Sequence, residues 1–372
     1  MRHRHLCPKY GLNRRTFLKG GVAAAFAPSL PLLHSQIPRP LPKDKSIVAA
    51  IRGENLNSMT RDAIDAIGGI HTIVDKDETV FIKPNFVNFP WAQHNNCFHT
   101  GDCTKPEILI AVAEECLKAG AAEVVIGEGS QLPQFDWRHA VTLDGETNLV
   151  REANRLTSLY DGKVTLACLE TDSPSWVEVP SQTRHGKIAV SSLVANADKV
   201  ISIPVAKTHS WAQLTLATKN FLGVTPLSRY AQFIAGSFWN RGSFDHSSPQ
   251  AIAQPCLDIV KGVQPDLTII DFSIGIEADG PTKDQGGITV DMKDRLGSWA
   301  ILASTDIMAA DASAARIMNH DVSKVRQLSM GLEMGLGEIR EEAIEITGEK
   351  LDDLRVEWKP ARIKGHAVAD EV

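Results

Sequence analysis

Apolar positions along this chain follow two alternating spacings. Short β-branched runs at 47–51, 80–83, 123–126, 164–169, 200–205, 267–271 and 299–303 predict strands. Longer stretches at helical spacing predict helices over 59–67, 105–119, 147–157, 211–222, 249–263, 307–318 and 323–331. The 105–119 stretch is the clearest: Ile108, Val112 and Cys116 recur every four residues, and Gly120 closes it. Strands alternating with helices imply an α/β fold, a largely parallel sheet flanked by helices. In such sheets the site is expected at the C-terminal ends of the strands. Residues 223–248 follow neither spacing, and a connection of that length suggests a lid or binding loop.

The first 35 residues stand apart. Arg14 and Arg15, followed by Thr16-Phe17-Leu18-Lys19 and a weakly apolar run to Leu33, read as a twin-arginine export signal. Pro28 and Pro31 break the run, which is too short to be a good membrane span. The expected partner is therefore the twin-arginine translocase, and the expected location periplasmic or otherwise extracytoplasmic. Leu33-His34-Ser35 is a poor cleavage site, so a cleaved and an anchored form both stay open. Pro38, Pro40 and Pro42 mark residues 36–45 as a tether. An α/β domain is expected over 46–350, with a tail over 351–372. No later run is apolar and long enough to cross a bilayer.

The signal distorts the charge balance. The whole chain has a formal net charge of −6; without residues 1–35, which hold six basic residues and no acid, it has 33 basic against 45 acidic. Such a surface repels nucleic acid unless a local basic patch intervenes, and no basic run follows Lys19. Nucleic-acid binding is not expected.

Candidate chemistry lies where strands end. The second strand ends on Lys83, with Asn85 just beyond; the third reaches Glu128 between two glycines, with Ser130 following. The fifth leads to Lys207, Thr208 and His209, and the sixth is expected to end on Asp271. Four such ends suggest one cleft. Lys219 lies four residues after Thr215 on the expected 211–222 helix, so the two share a face, and Asn220 follows. Lys83, Lys207 and Lys219 are candidates for binding an anion, and His209 for the general base or acid. Glu128 and Asp271 are expected to orient it, balance the lysines or hold a divalent metal. Asp311 sits in a helix of small apolar residues and needs a partner if buried, a site lysine or Arg316 being candidates. Asp306 is a helix-start residue.

His94, Cys97, His99 and Cys103 crowd one loop. Their spacing admits a metal site, a Cys97–Cys103 disulfide or neither. The cysteines form no iron–sulfur motif, and Cys116 and Cys168 read as buried hydrophobes. Gly127-Glu128-Gly129 lacks the third glycine of a dinucleotide fingerprint; there is no P-loop and no G-x-S-x-G elbow.

The segments Val80–Asn85, Thr104–Leu109, Ala121–Ser130, Ala197–His209, Ala217–Gly223 and Ala303–Asp311 together resemble the bacterial and archaeal family known as domain of unknown function 362. The likeness spans most of 46–350. It implies an α/β domain and supplies no reaction; the ferredoxin-type segment carried by some relatives is missing here, and 97–103 and 229–248 look like local elaborations. The reading is an extracytoplasmic enzyme acting on a small anionic substrate, or alternatively an exported binding or cofactor-carrier protein without catalysis.

Overall fold

The computed structural model describes residues 44–92, 96–234, 237–239 and 241–364. The export signal, residues 36–43 of the tether and His94 lie outside the described residues.

Eleven strands form one mixed, mostly parallel sheet: β1 (Ser46–Gly53), β2 (Thr79–Pro84), β3 (Glu123–Glu128), β4 (Lys163–Cys168), β5 (Lys199–Ile203), β6 (Val205–His209), β7 (Gln213–Thr215), β8 (Leu267–Ala278), β9 (Gly287–Asp291), β10 (Trp299–Ser304) and β11 (Ile344–Gly348). Their order is β11-β1-β10-β8-β5-β2-β3-β4. Strands β4, β3, β2, β5 and β8 run parallel, while β10 is antiparallel to both its neighbours, β1 and β8. Beyond the end of β5, β6 pairs with the second half of β8 across a register shift, and β7 folds back antiparallel on β6. The fold is α/β.

Strand alternation divides the core in two. In β2, Val80 and Ile82 face one apolar cluster and Phe81 the other. Helices α1 (Leu56–Ala66) and α2 (Pro106–Lys118) cover the Val80 face, whereas α4 (Pro249–Val263) and α5 (Ile307–Ile317) cover the Phe81 face, where the one-turn helix α3 (Ala217–Asn220) also packs. Local signals fix the helix ends: Pro106 opens α2, Gly120 follows it at φ +96°, and the Asp306 carboxylate caps α5 by accepting from the N–H groups of Met308 and Ala309.

Three expectations change. The 211–222 stretch is not one helix but β7, α3 and a following 3₁₀ turn, because Thr215 pairs with Lys207 in a ladder. Its apolar residues are buried on several sides, which hides the period. The strand expected to end at Asp271 runs on to Ala278. The stretch beyond 350 is no loose tail up to Trp358: Leu354 and Trp358 are buried in the core. Among the described residues no helix is long and apolar enough to cross a membrane.

Candidate functional site

At the C-terminal ends of β2, β3 and β6 lies a cleft of about 130 Å³, lined by Lys83, Asn85, Glu128, Ser130, Lys207, His209, Lys219 and Asn220 among others. A water needs roughly 10–15 Å³ of such space, so the cleft has room for a small ligand.

Lys83 and Glu128 form its floor. The Lys83 ammonium donates to Glu128 Oε1 at 2.7 Å and to the Pro84 carbonyl at 2.7 Å. The other carboxylate oxygen accepts the Phe86 N–H at 2.8 Å. Burial lowers the Lys83 pKa, with Glu128 opposing the shift. The glycine after Glu128 is needed for close approach: a Cβ on Gly129 would lie 2.3 Å from the Gly223 carbonyl oxygen.

Lys207, equally buried, donates to Asn85 Oδ1 at 2.7 Å and to the Asp102 carbonyl at 2.8 Å. Burial lowers its pKa to about 8. Asn220 Nδ2 donates to the Lys83 carbonyl at 2.9 Å, tying α3 to β2. Ser130 donates from its hydroxyl to the Phe86 carbonyl at 2.5 Å.

The ladder of β6 with β7 sorts the remaining side chains. Lys207 and His209 are two residues apart and Thr215 is opposite Lys207, so all three share a face and line the cleft. Thr208 therefore points the other way, donating to the Ala278 carbonyl at 2.6 Å, and it is absent from the lining. His209 Nδ1 accepts the backbone N–H groups of Trp211 and Ala212 at 3.1 and 3.3 Å. Burial, with the positive charge of Lys219 and its neighbours, holds the His209 pKa well below 6.5.

Lys219 lines the cleft from α3 without any ion pair or hydrogen bond among the described residues. Burial lowers its pKa. Thr215 also lines the cleft, but from β7, so the expected shared helical face is not what joins it to Lys219.

Besides Thr208, two expected residues lie elsewhere. Asp271 is in the middle of the long β8, fully buried, accepting from the Lys105 N–H and from the N–H and hydroxyl of Ser273, with the Lys105 ammonium 3.4 Å away. Because the strand continues past it, it never reaches the cleft. Asp311 pairs with neither a site lysine nor Arg316. Its oxygens accept the N–H groups of Ala217 and Thr218 and the Thr218 hydroxyl, at 2.7–2.9 Å. It thus caps α3, and burial raises its pKa to about 6.

The expected metal sites do not assemble among the described residues, where no three His, Cys, Asp or Glu side chains are grouped for an ion. Cys97 and Cys103 are buried free thiols, whereas His99 is exposed. Burial and the hydrogen-bonded Cys97 thiol raise the Cys103 pKa well above its ordinary value. Glu128 lines the cleft and Asp271 does not, so the two carboxylates are not brought together to hold a cation.

Arg241 was not expected. It comes from the weakly patterned 223–248 stretch, where no periodicity could flag it. Its guanidinium lines the cleft and, among the described residues, donates to Thr225 and to the carbonyls of Gly129, Ser130 and Gly223. Burial lowers its pKa to about 10. His246, Trp211 and Gln131 also line the cleft unforeseen.

Comparison with known proteins agrees with the reach of these segments. A thylakoid-associated protein of Synechocystis sp. is 23% identical over 286 residues, 76% of each chain. Among solved structures, the lactate racemase apoprotein of Thermoanaerobacterium thermosaccharolyticum shares 12% identity over 77% of this chain, with a TM-score of 0.40. A Thermotoga maritima protein shares 10% over 76%, with a TM-score of 0.35. This chain spans 60% of each of those two solved chains. The model of the family described as Domain of unknown function (DUF362) matches residues 80–316, from β2 through α5 and so across every cleft strand, and the chain belongs to that family.

Proposed function

We propose that this protein is an enzyme acting on a small anionic substrate in the Lys83–Lys207–Lys219 cleft. One observation carries the reading: Lys219 is a half-buried lysine facing the cleft with no anionic partner in the described protein. A desolvated ammonium is costly when unpaired, and such groups cluster where a ligand supplies the missing charge. Arg241 and Lys207 add positive potential without a direct carboxylate contact, while Glu128 is neutralised by Lys83. The remainder of the chain is acidic, so attraction for an anion is confined to this local cluster of cations. The Arg14-Arg15 segment supports export by the twin-arginine route and work outside the cytoplasm.

The test is a panel of small carboxylates and phosphate compounds, read first as a rise in melting temperature and then by mass spectrometry of the recovered compound. The reading expects one class to stabilise the wild type, not the Lys219→Ala variant, and to be recovered chemically changed. A bound anion recovered intact removes catalysis and leaves a binding protein. Equal stabilisation of both proteins removes the anion cleft itself.

A further inference from the structure

Three donors around the cleft have no acceptor within the described protein. The Lys219 ammonium makes no ion pair or hydrogen bond. The Thr215 hydroxyl is buried, lines the cleft and lacks any partner. His209 uses Nδ1 alone, leaving Nε2 as the ring atom with no protein partner. Thr215 and His209 share a face of the β6–β7 ladder, and α3, which carries Lys219, packs against β7.

The Nδ1 contacts decide what His209 is able to do. Two backbone N–H groups converge on that nitrogen, so it must present its lone pair to them. The proton of the neutral ring is then on Nε2. Moving it to Nδ1 would set an N–H against two N–H donors. Protonating both nitrogens meets the same conflict, and adds a charge beside Lys207, Lys219 and His246. A ring fixed in this way is a poor base on its cleft side and a good hydrogen-bond donor.

We propose that Thr215, Lys219 and His209 form an oxyanion subsite, with His209 donating from Nε2 as a neutral imidazole and not serving as the general base. This rests on the anionic-substrate reading and sharpens it. It replaces the general base or acid expected for His209 from the sequence with a hydrogen-bond donor that keeps its proton. The ligand group is a small oxyanion, carboxylate or phosphate. Lys219 supplies the compensating charge, and the two neutral donors supply direction. Neutral imidazole donors of this kind stabilise negative charge that develops on a substrate oxygen, because they need no reorganisation as it forms.

The experiment uses the full chain labelled with ¹⁵N-histidine. Two-bond proton–nitrogen correlation spectra are recorded from pH 6 to 8, and His209 is assigned by its loss in a His209→Gln variant. The expected result is an unprotonated Nδ1 and a protonated Nε2 throughout. Sodium acetate or inorganic phosphate should then shift the Nε2 resonance to saturation. The Lys219→Met variant should keep the tautomer but need about tenfold more anion or worse, the loss of one charge-assisted contact. Thr215→Val should weaken the same response. A response to acetate alone assigns a planar carboxylate, and one to phosphate alone a tetrahedral ligand. A proton on Nδ1, or a ring titrating near pH 6.5, overturns the inference. If anions still bind through Lys219 in that case, the cleft reading survives it. If neither anion moves Nε2 and Lys219→Met changes nothing, both fall together.

Discussion

Asp311 holds Thr218 by two groups at once: one carboxylate oxygen accepts its backbone N–H at 2.9 Å and its hydroxyl at 2.8 Å. The other oxygen takes the Ala217 N–H at 2.7 Å. The buried α5 helix therefore sets the turn that presents Lys219 and Asn220 to the cleft, without Asp311 reaching the cleft itself. This favours one substitution pattern. Asp311→Asn keeps the shape but places an amide NH₂ against a backbone N–H. A buried donor facing a donor costs about 1–3 kcal/mol. Asp311→Asn should therefore destabilise by that amount and weaken anion binding, whereas a wild-type urea midpoint would falsify the capping role.

Lys83 and Glu128 give a separate prediction. Their side chains are 2% and 4% exposed, so removing either leaves a charge stranded in the interior. Lys83→Met and Glu128→Leu should each cost roughly 3–5 kcal/mol. The double variant should cost clearly less than the two added together, because it strands neither charge. Urea midpoints of the four proteins provide the cycle, and strict additivity would mean that the pair is not coupled.

How much of this was legible in the sequence depends on what each residue's neighbours did. Lys83, Glu128 and Lys207 could be read because each stands at or near the end of an apolar β run, and strand ends in a parallel sheet meet on one side. Asp271 misled for the same reason. Its strand continues through Phe272, Ile274 and Ile276, but Ser273, Gly275 and Glu277 interrupt that run with small or polar residues. Thr208 was placed with its neighbours along the chain, although alternation sends it to the opposite face. Asp311 was recognisable as buried and in need of partners. That these are backbone N–H groups nearly a hundred residues away belongs to tertiary structure, and nothing local encodes it. Arg241 carried no signal, since it satisfies carbonyls of two segments far from it along the chain, 129–130 and 223–225.

Lys219 should trade stability for binding. Without an acceptor among the described residues, its ammonium loses hydration and gains nothing in the free state. Lys219→Met keeps the aliphatic stem and should raise stability by about 0.5–2 kcal/mol, the usual gain when a functional liability is removed. The same variant should lose the stabilisation that added phosphate or acetate gives the wild type by mass action. Thermal melts with and without anion measure both effects. A variant less stable than wild type would show that Lys219 has a structural partner and would take away the basis of the anion reading.

Lys207 gives the pH dependence. Burial brings its pKa down from 10.5 to about 8, while Asp102 and Cys103 act to raise it and Lys105 and Lys219 to lower it. Between about pH 8 and 10.5 the native amine has lost a proton that the unfolded chain still binds. Stability contributed by this group must therefore rise with pH across that window, the reverse of a lysine stabilised by an ion pair. Anion binding moves the other way, because a neutral amine at Lys207 withdraws one positive charge from the cleft. Raising the pH from 7.5 to 9.5 should thus weaken phosphate or acetate binding while the Lys207 contribution to stability grows. Lys207→Met removes this group's share of both trends, so the difference between the two proteins isolates it from the titration of Lys219. Urea midpoints and anion affinities at the two pH values are the measurements. If wild type and Lys207→Met change in parallel, Lys207 keeps its proton throughout, and the neutral amine held by Asn85 and the Asp102 carbonyl does not form.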